Sequence, residues 1–436
     1  MQVASVNDNS INFGQAKFLT KLSKSKSIKR IFADKMRKFP KDYEYLKVLA
    51  NGIGLAEQDL YRIRSIVGPQ ELEAILSNAK YNSFDPGIKP LYGKLSKEKL
   101  EELAQKGFLF NLHTHTTHSD GIMSIKSLLN QSAEYANILK TKASDRFIIA
   151  ITDHDTLEGC KKALEIISKN PEQYENLGIV LGAELSALYR EPNMLAKPFA
   201  YELIAYSINP FQKNLNTTLT NLRKNRIDLS KSIIKDACNI YPEFDFSYQE
   251  LCKSSKNPKK GIDGFLYSIA NYLAKKTGNL ENVREVSLQH LPKINEDSSN
   301  ITNSAETIFN QMLGQFGFLG IAHPGKIYLG GGKISDEFIK KCKSENKSAG
   351  KIIIDTFLEH LKKIGNNKLK AIETNYQSYE GTLQNAQKII NASQAYESSA
   401  EGSIKWLNNF REFAEKHNLL NTGGLDTHSE NPFLRK

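Results

Sequence analysis

The chain has 436 residues, more than one simple hydrophobic core serves, so one enlarged domain or two to three units are expected. Hydrophobic residues make up 40% and charged residues 25%, an ordinary globular balance, and no apolar run approaches the roughly 20 residues needed to span a bilayer. The formal charge of +11 is unevenly placed, with eleven Lys/Arg against four Asp/Glu in residues 1–48.

The first stretch, "MQVASVNDNSINFGQAKFLTKL", lacks the continuous apolar core of a secretory signal. Residues 1–40 are rich in Ser, Lys and Asn and read as a basic, flexible leader. Its charge is either simply solvated or a weak contact for nucleic acid or an anionic surface through residues 17–47. Over residues 41–105 apolar residues recur at helical spacing, and "LAEQDLYRIRSIVG" and "GPQELEAILSNA" both read as helices, the second with Pro69 near its first turn. A small helical N-terminal unit follows from this.

After residue 105 short apolar runs alternate with helical stretches. The runs are "GFLFNLH" (107–113), "RFIIAITDHD" (146–155), "LGIVLGAEL" (177–185), "FAYELIAYSI" (199–208), "FGFLGIAHPG" (316–325), "KLKAIETNY" (368–376) and "LLNTGGLDTH" (419–428). Runs of this kind suit strands buried on both faces, as in parallel sheets. Segments 123–139, 156–168, 351–364 and 401–417 carry helical periodicity between them. Seven β/α repeats predict a parallel barrel related to the (β/α)8 type. Residues 210–315, with "LTNLRKNRIDLSKSIIKDAC" and "FLYSIANYLAKKTG", are too long for a bare loop and read as an inserted helical subdomain able to cover a site. Cys160, Cys238, Cys252 and Cys342 are scattered without a C-x-x-C pair, which fits free thiols in a reducing, cytoplasmic compartment and argues against a cysteine-built zinc site.

The conspicuous polar residues stand where these strands run out, the end at which α/β barrels gather their chemistry. His113, His115 and Asp120 follow the first run, His154 the second, Glu184 the third, His323 the fifth, and Asp426 and His428 the seventh. Residues at i and i+2 of a strand point the same way, so His113 with His115, and Asp426 with His428, can face one point. Imidazole and carboxylate are ligands for zinc, iron or manganese. Any one of these residues alone reads as easily as a hydrogen-bonded structural group. Five coincidences of register are harder to accept than one metal centre.

In order, "HTHTTHSDG", "TDHD", "GAELS", "AHPG" and "GGLDTH" resemble the five motifs of the PHP (polymerase and histidinol phosphatase) superfamily, over about residues 107–436. The insert is similar to that of the branch acting on nucleotides and short oligonucleotides. The resemblance implies an α/β fold, a distorted (β/α)7 TIM-like barrel, over 106–436, with two to three divalent ions: manganese, iron or zinc, with magnesium also compatible. It implies His113, His115, Glu184 and Asp426 at the first ion, Glu184 and His323 at the second, and Asp120, His154 and His428 at the third. His118 has no implied role, and Asp153 and Asp155 are either orienting groups or turn and capping residues. One position departs: where related sequences have a histidine within a stretch like "HILGY", this chain has "ELIAY", placing Glu202 there. Glutamate either keeps the second position with a harder character or weakens it.

Four carboxylates (Asp120, Glu184, Glu202, Asp426) repel one another unless cations intervene. Three divalent ions leave about +2 of net charge, which complements a phosphate dianion. The reaction expected is in-line attack of metal-bound hydroxide on phosphorus in a metal-dependent phosphoesterase of nucleotides or short oligonucleotides. Asp120, His323 and His428 are its catalytic candidates, the two histidines for proton transfer. Arg190, Lys326, Arg223 and Arg226 are the candidate substrate contacts, the last two at i and i+3 of one helix, with solvated surface charge as the alternative. Glu373 is a candidate contact for substrate or a metal-bound water. "GGGK" (330–333) lacks Walker spacing and reads as a turn. The alternatives are a histidinol-phosphatase-like phosphomonoesterase, and a non-catalytic, metal-stabilised scaffold binding nucleic acid or an acidic partner.

Overall fold

The computed structural model describes residues 13–78, 96–196, 198–254, 266–278, 303–324, 334–365, 367–376 and 410–433. Each apolar run carries a strand: β1 (Phe110–Asn111), β2 (Phe147–Ile151), β3 (Leu177–Tyr189) and β4 (Phe199–Tyr206). After the two-residue β5 (Asn303–Ser304) come β6 (Phe318–Ile321), β7 (Leu369–Tyr376) and β8 (Leu420–Gly424). They join in the order β1-β2-β3-β4-β6-β7-β8, with β5 beside β3. Every residue of β2 and β6 is buried, which explains runs that are apolar throughout. The sheet nearly closes on itself: Leu112 N donates to Gly423 O at 3.1 Å, His115 N to Thr427 O at 2.9 Å, and Thr427 N to His113 O at 3.2 Å. The result is a distorted TIM-like barrel.

The expected all-parallel arrangement is corrected at β4, which runs antiparallel to both β3 and β6. Only residues 190–198 separate β3 from β4. A parallel crossover needs a dozen or more, so the chain doubles back. The inversion turns the beginning of β4 towards the mouth where the other strands end. Glu202, near that beginning, pairs across the sheet with Ser186, two residues past Glu184.

The N-terminal unit comprises α1 (Phe13–Lys38), α2 (Pro40–Gly52), α3 (Pro69–Leu76) and α4 (Lys97–Gln105). Two expectations change here. The supposed flexible leader is helical from Phe13, and its end is anchored: half-buried Lys35 bonds to Ile66 O at 2.8 Å and Glu71 Oε2 at 2.7 Å. "LAEQDLYRIRSIVG" is not one α-helix but a 3₁₀ segment, Glu57–Ile63, followed by an extended piece. That piece joins the sheet, with Val67 N bonded to Ile179 O and Ile179 N to Ser65 O, both at 2.9 Å. These sheet bonds, and burial of Ile66 and Val67, replace what helix continuation would have supplied. Asp42 of α2 accepts from Gln70 N and Glu71 N, capping α3 from a distance. The unit thereby seals the barrel at the end where the strands begin.

Around the barrel lie α5 (Ile125–Ala143) and α6 (Glu158–Lys169). The insert contributes α7 (Lys213–Ile240), α8 (Tyr248–Ser254), α9 (Leu266–Thr277) and α10 (Ala305–Met312). α11 (Asp336–Ser344) and α12 (Ala349–Gly365) complete the layer, with a further helix at 410–416. On α12, Ile353, Phe357 and Leu361 recur every fourth position and bury one stripe against the barrel. α7 serves two cores: Leu215, Leu219 and Leu222 pack on the barrel, while Ile233, Ile234 and Ala237 build a separate cluster with Phe246, Leu251, Ile269 and Leu273. The four cysteines are free. Among the described residues no helix is long and apolar enough to cross a membrane.

Candidate metal centre

The loop after β1 is held in shape before any ligand is considered. Thr116 N and Oγ1 and Ser119 Oγ all donate to the carboxylate of Asp153, at 2.7, 2.8 and 2.8 Å. Buried Asp153 therefore ties the first motif to the second. Next along the chain, His154 bridges to Glu184 of β3, and Asp155 completes the turn. Asp155 has φ 47°, donates from N to Glu184 O at 2.8 Å, and accepts from Ser186 N at 3.1 Å. Asp426 also takes a left-handed backbone, φ 48°, a conformation Asp tolerates better than bulkier residues. Gly424 lets β8 pass His113 closely, since a Cβ there would lie 2.4 Å from that of His113. Asn111 stitches the same seam, its side chain bonding Leu425 N, Thr427 Oγ1 and Pro432 O.

On this frame all nine expected ligands converge. His113 Nε2 and His115 Nε2 are 3.1 Å apart and each is 3.1 Å from Glu184 Oε2. Asp426 Oδ1 lies 3.5 and 3.2 Å from the same two nitrogens. Glu184 Oε1 turns the other way, to His323 Nε2 at 3.0 Å, and Glu202 Oε2 is 3.2 Å from that nitrogen. His154 Nδ1 faces Glu184 and Glu202 at 3.2 and 3.5 Å. Asp120 Oδ1 sits 3.0 Å from His428 Nε2 and 3.8 Å from His154 Nε2 and His115 Nδ1. Three sets are close enough to hold an ion: His113, His115, Glu184 and Asp426; His115, Asp120, His154 and His428; His154, Glu184 and Glu202. A neutral imidazole has one lone pair, so His115 can serve only one of its two sets.

The donor set fits divalent ions. Ligands held about 2.1 Å from a cation stand about 3.0–3.4 Å from each other, close to the separations above. The titration behaviour points the same way. Burial alone would keep His113 and His115 neutral, but the surrounding carboxylates overcome it: Glu184, Glu373 and Asp426 raise His113, and Asp426 and Glu184 push His115 up to about 10. Glu184 is driven up by burial yet held well below the carboxylate range by His113 and His154. Glu202 is opposed by burial and Glu184, but His323 and His154 still lower it. Asp120, despite its burial, is lowered by His154 and His428. His428 is lowered by burial and by His115, with Asp120 only partly offsetting them. Without ions, protons on imidazole supply the positive charge that the carboxylates require.

The substrate candidates are less concentrated. Arg226, expected to share a phosphate clamp with Arg223 or to be a solvated surface charge, is buried, and its guanidinium meets Asp155 Oδ2 at 2.5 Å. A guanidinium removed from water takes the nearest carboxylate. Arg223 is half-buried and Arg190 exposed, while Lys326 and "GGGK" lie outside the described residues. His118 is half-buried, its N bonded to Thr116 Oγ1. Sequence reasoning missed Asn111, and it left Asp153 between an orienting group and a turn residue. A polar residue inside the apolar run "GFLFNLH" was the available signal for the first. Glu373 is fully buried, against the ring of His113 and the main chain of His323.

No family model matches the chain, and no curated protein matches it. Among solved structures it is similar to a candidate metal-dependent phosphoesterase from Bifidobacterium adolescentis, at 18% identity over 74% of this chain and 88% of that one, with a TM-score of 0.44. It is also similar to an amidohydrolase from Chromobacterium violaceum solved with bound sulfate and no metal, at 16% identity over 75% of this chain and 93% of that one, with a TM-score of 0.43.

Proposed function

We propose that the chain is a cytoplasmic phosphoesterase of the PHP kind that uses two to three divalent ions, manganese, iron or zinc, to hydrolyse phosphate esters of nucleotides or short oligonucleotides. The observation that carries this reading is the convergence of three ligand sets at one barrel mouth, two of them sharing Glu184. Divalent ions bound there would polarise a phosphoryl oxygen and lower the pKa of a water towards neutrality. The chain's own groups supply the rest. Glu184 and Glu202 offer the carboxylate oxygens that suit a hard ion at the second position. Asp120 and His428 face each other beside His154, and burial lowers the His428 imidazole, so that whenever its Nε2 is not holding an ion it can accept or pass a proton.

The insert reaches this mouth through α7, where Arg226 meets the residue that follows His154. Arg223, one turn earlier, is our candidate for a phosphate contact, with Arg190 and Lys326 as further ones. α1 ends at the opposite, sealed end of the barrel, so any nucleic-acid contact it makes is separate from the reacting ester. Purified protein with Mn²⁺ is expected to release phosphate from a nucleotide panel, with higher kcat/KM than on histidinol phosphate. His115→Ala and Asp426→Ala should abolish release. Full activity in both variants would overturn the assignment.

A further inference from the structure

We infer that Glu373 is a positioning residue of the metal centre, fixing the His113 ring so that Nε2 and not Nδ1 faces the ion. The inference rests on reading the cluster as a metal centre, and it assigns a task to a residue outside the nine ligands. Glu373 lies on β7, between the strand leading to His323 and the strand leading to Asp426. Its carboxylate oxygens are 3.3 and 3.4 Å from His113 Nδ1. On the other side of the ring, Nε2 faces His115, Glu184 and Asp426.

A neutral imidazole carries one N–H and one lone pair. A carboxylate at Nδ1 retains the proton there, because a lone pair facing a negative oxygen is repelled. The lone pair is then left at Nε2, among the other ligands. The same carboxylate does a second thing. Glu373 Oε2 accepts from His323 N at 2.8 Å, so one group orients a ligand of the first set and anchors the main chain carrying His323, which meets Glu184 from the other side. A buried carboxylate is costly unless its lone pairs find donors, and these two contacts offset part of that cost. Glu373 is not itself one of the convergent ligands, since the His113 ring stands between it and them. It acts through the ring.

Outer partners of this kind are worth about 10–100-fold in metal affinity. The test uses the full chain, stripped of metal and titrated with Mn²⁺ and with Zn²⁺, comparing wild type with Glu373→Gln and Glu373→Ala. In the Gln variant, which keeps an acceptor for His323 N, one ion is expected to bind about 10-fold more weakly with the others near wild type; in the Ala variant that ion should weaken about 100-fold and the one beside His323 to a lesser extent. In the Zn²⁺ form, the ¹⁵N shifts of the imidazole rings should change in the variants for one Nδ1-protonated ring alone, the others keeping their wild-type signals. Unfolding of metal-free Glu373→Gln should match wild type. Wild-type affinity for every ion in both variants would overturn the inference, as would equal weakening of all ions together with a destabilised metal-free protein. A wild type that takes up no ion would sink it too. A wild type that loads ions in the expected manner but cleaves no phosphate ester would remove only the phosphoesterase reading.

Discussion

In the protein without bound ions, protons on His113 and His115 balance the carboxylates packed against them, and this has a measurable pH signature. Both folded values lie above the ordinary imidazole value of 6.5, His115 at about 10. Groups raised in this way contribute stability that is complete below pH 6.5 and lost as pH climbs through the folded value. The melting temperature of metal-stripped protein is therefore expected to fall between pH 6.5 and about 10. Mn²⁺ should raise it more at pH 9 than at pH 6.5, because the protons the ion displaces are released more easily at the higher pH. A flat profile in the stripped protein would contradict the charge balance described here. At this scale the residues that converge were legible because nine histidines in 436 residues leave few to explain, and five stand at strand ends. The contacts that hold them in place were not. Asp153, Asn111 and Glu373 work through contacts with residues 34 to 321 positions away, which no local spacing encodes.

Strands were readable as elements because burial on both faces leaves an unbroken apolar run, but direction is invisible in such a run. β4 looks like its neighbours in composition and differs only in the length of the connection before it, residues 190–198, which in retrospect was the clue to its inversion. Helix α7 teaches a related lesson. Spacing puts Arg223 and Arg226 on adjoining faces, yet spacing cannot say that Asp155 is waiting opposite one of them. The Arg226–Asp155 pair joins the insert to the turn between His154 and Glu184, with side chains 8% and 3% exposed. Removing one partner of a buried pair leaves the other charge uncompensated, at a cost of about 3–5 kcal/mol. Urea unfolding of Arg226→Ala should show a loss of that size. The double variant with Asp155→Ala should lose less than the two single variants summed, and strict additivity would mean that the pair does not act as a unit.

Across the whole molecule, the N-terminal unit and the barrel share one apolar core, running from Leu46 and Leu49 of α2 to Ile149 and Val180 of the sheet. A buried polar knot reinforces it: Glu71 meets Lys35 at 2.7 Å and Arg146 at 2.9 Å, and Arg146 also bonds Ser65 O and Leu177 O. Deleting residues 1–78 should therefore abolish the cooperative unfolding transition and the near-ultraviolet circular dichroism of the barrel. A truncated protein melting at the wild-type midpoint would show that the unit is dispensable. The barrel's closure has a different consequence. Its seam brings residues near 111 against residues 423–432, and the ligands nearest the two sides of that seam, His113 and His428, are separated by most of the chain. During synthesis on the ribosome, His113 emerges hundreds of residues before Asp426 and His428. The nascent polypeptide must carry an incomplete set of candidate ligands until β8 has emerged, and capture of the full complement of ions waits on that strand.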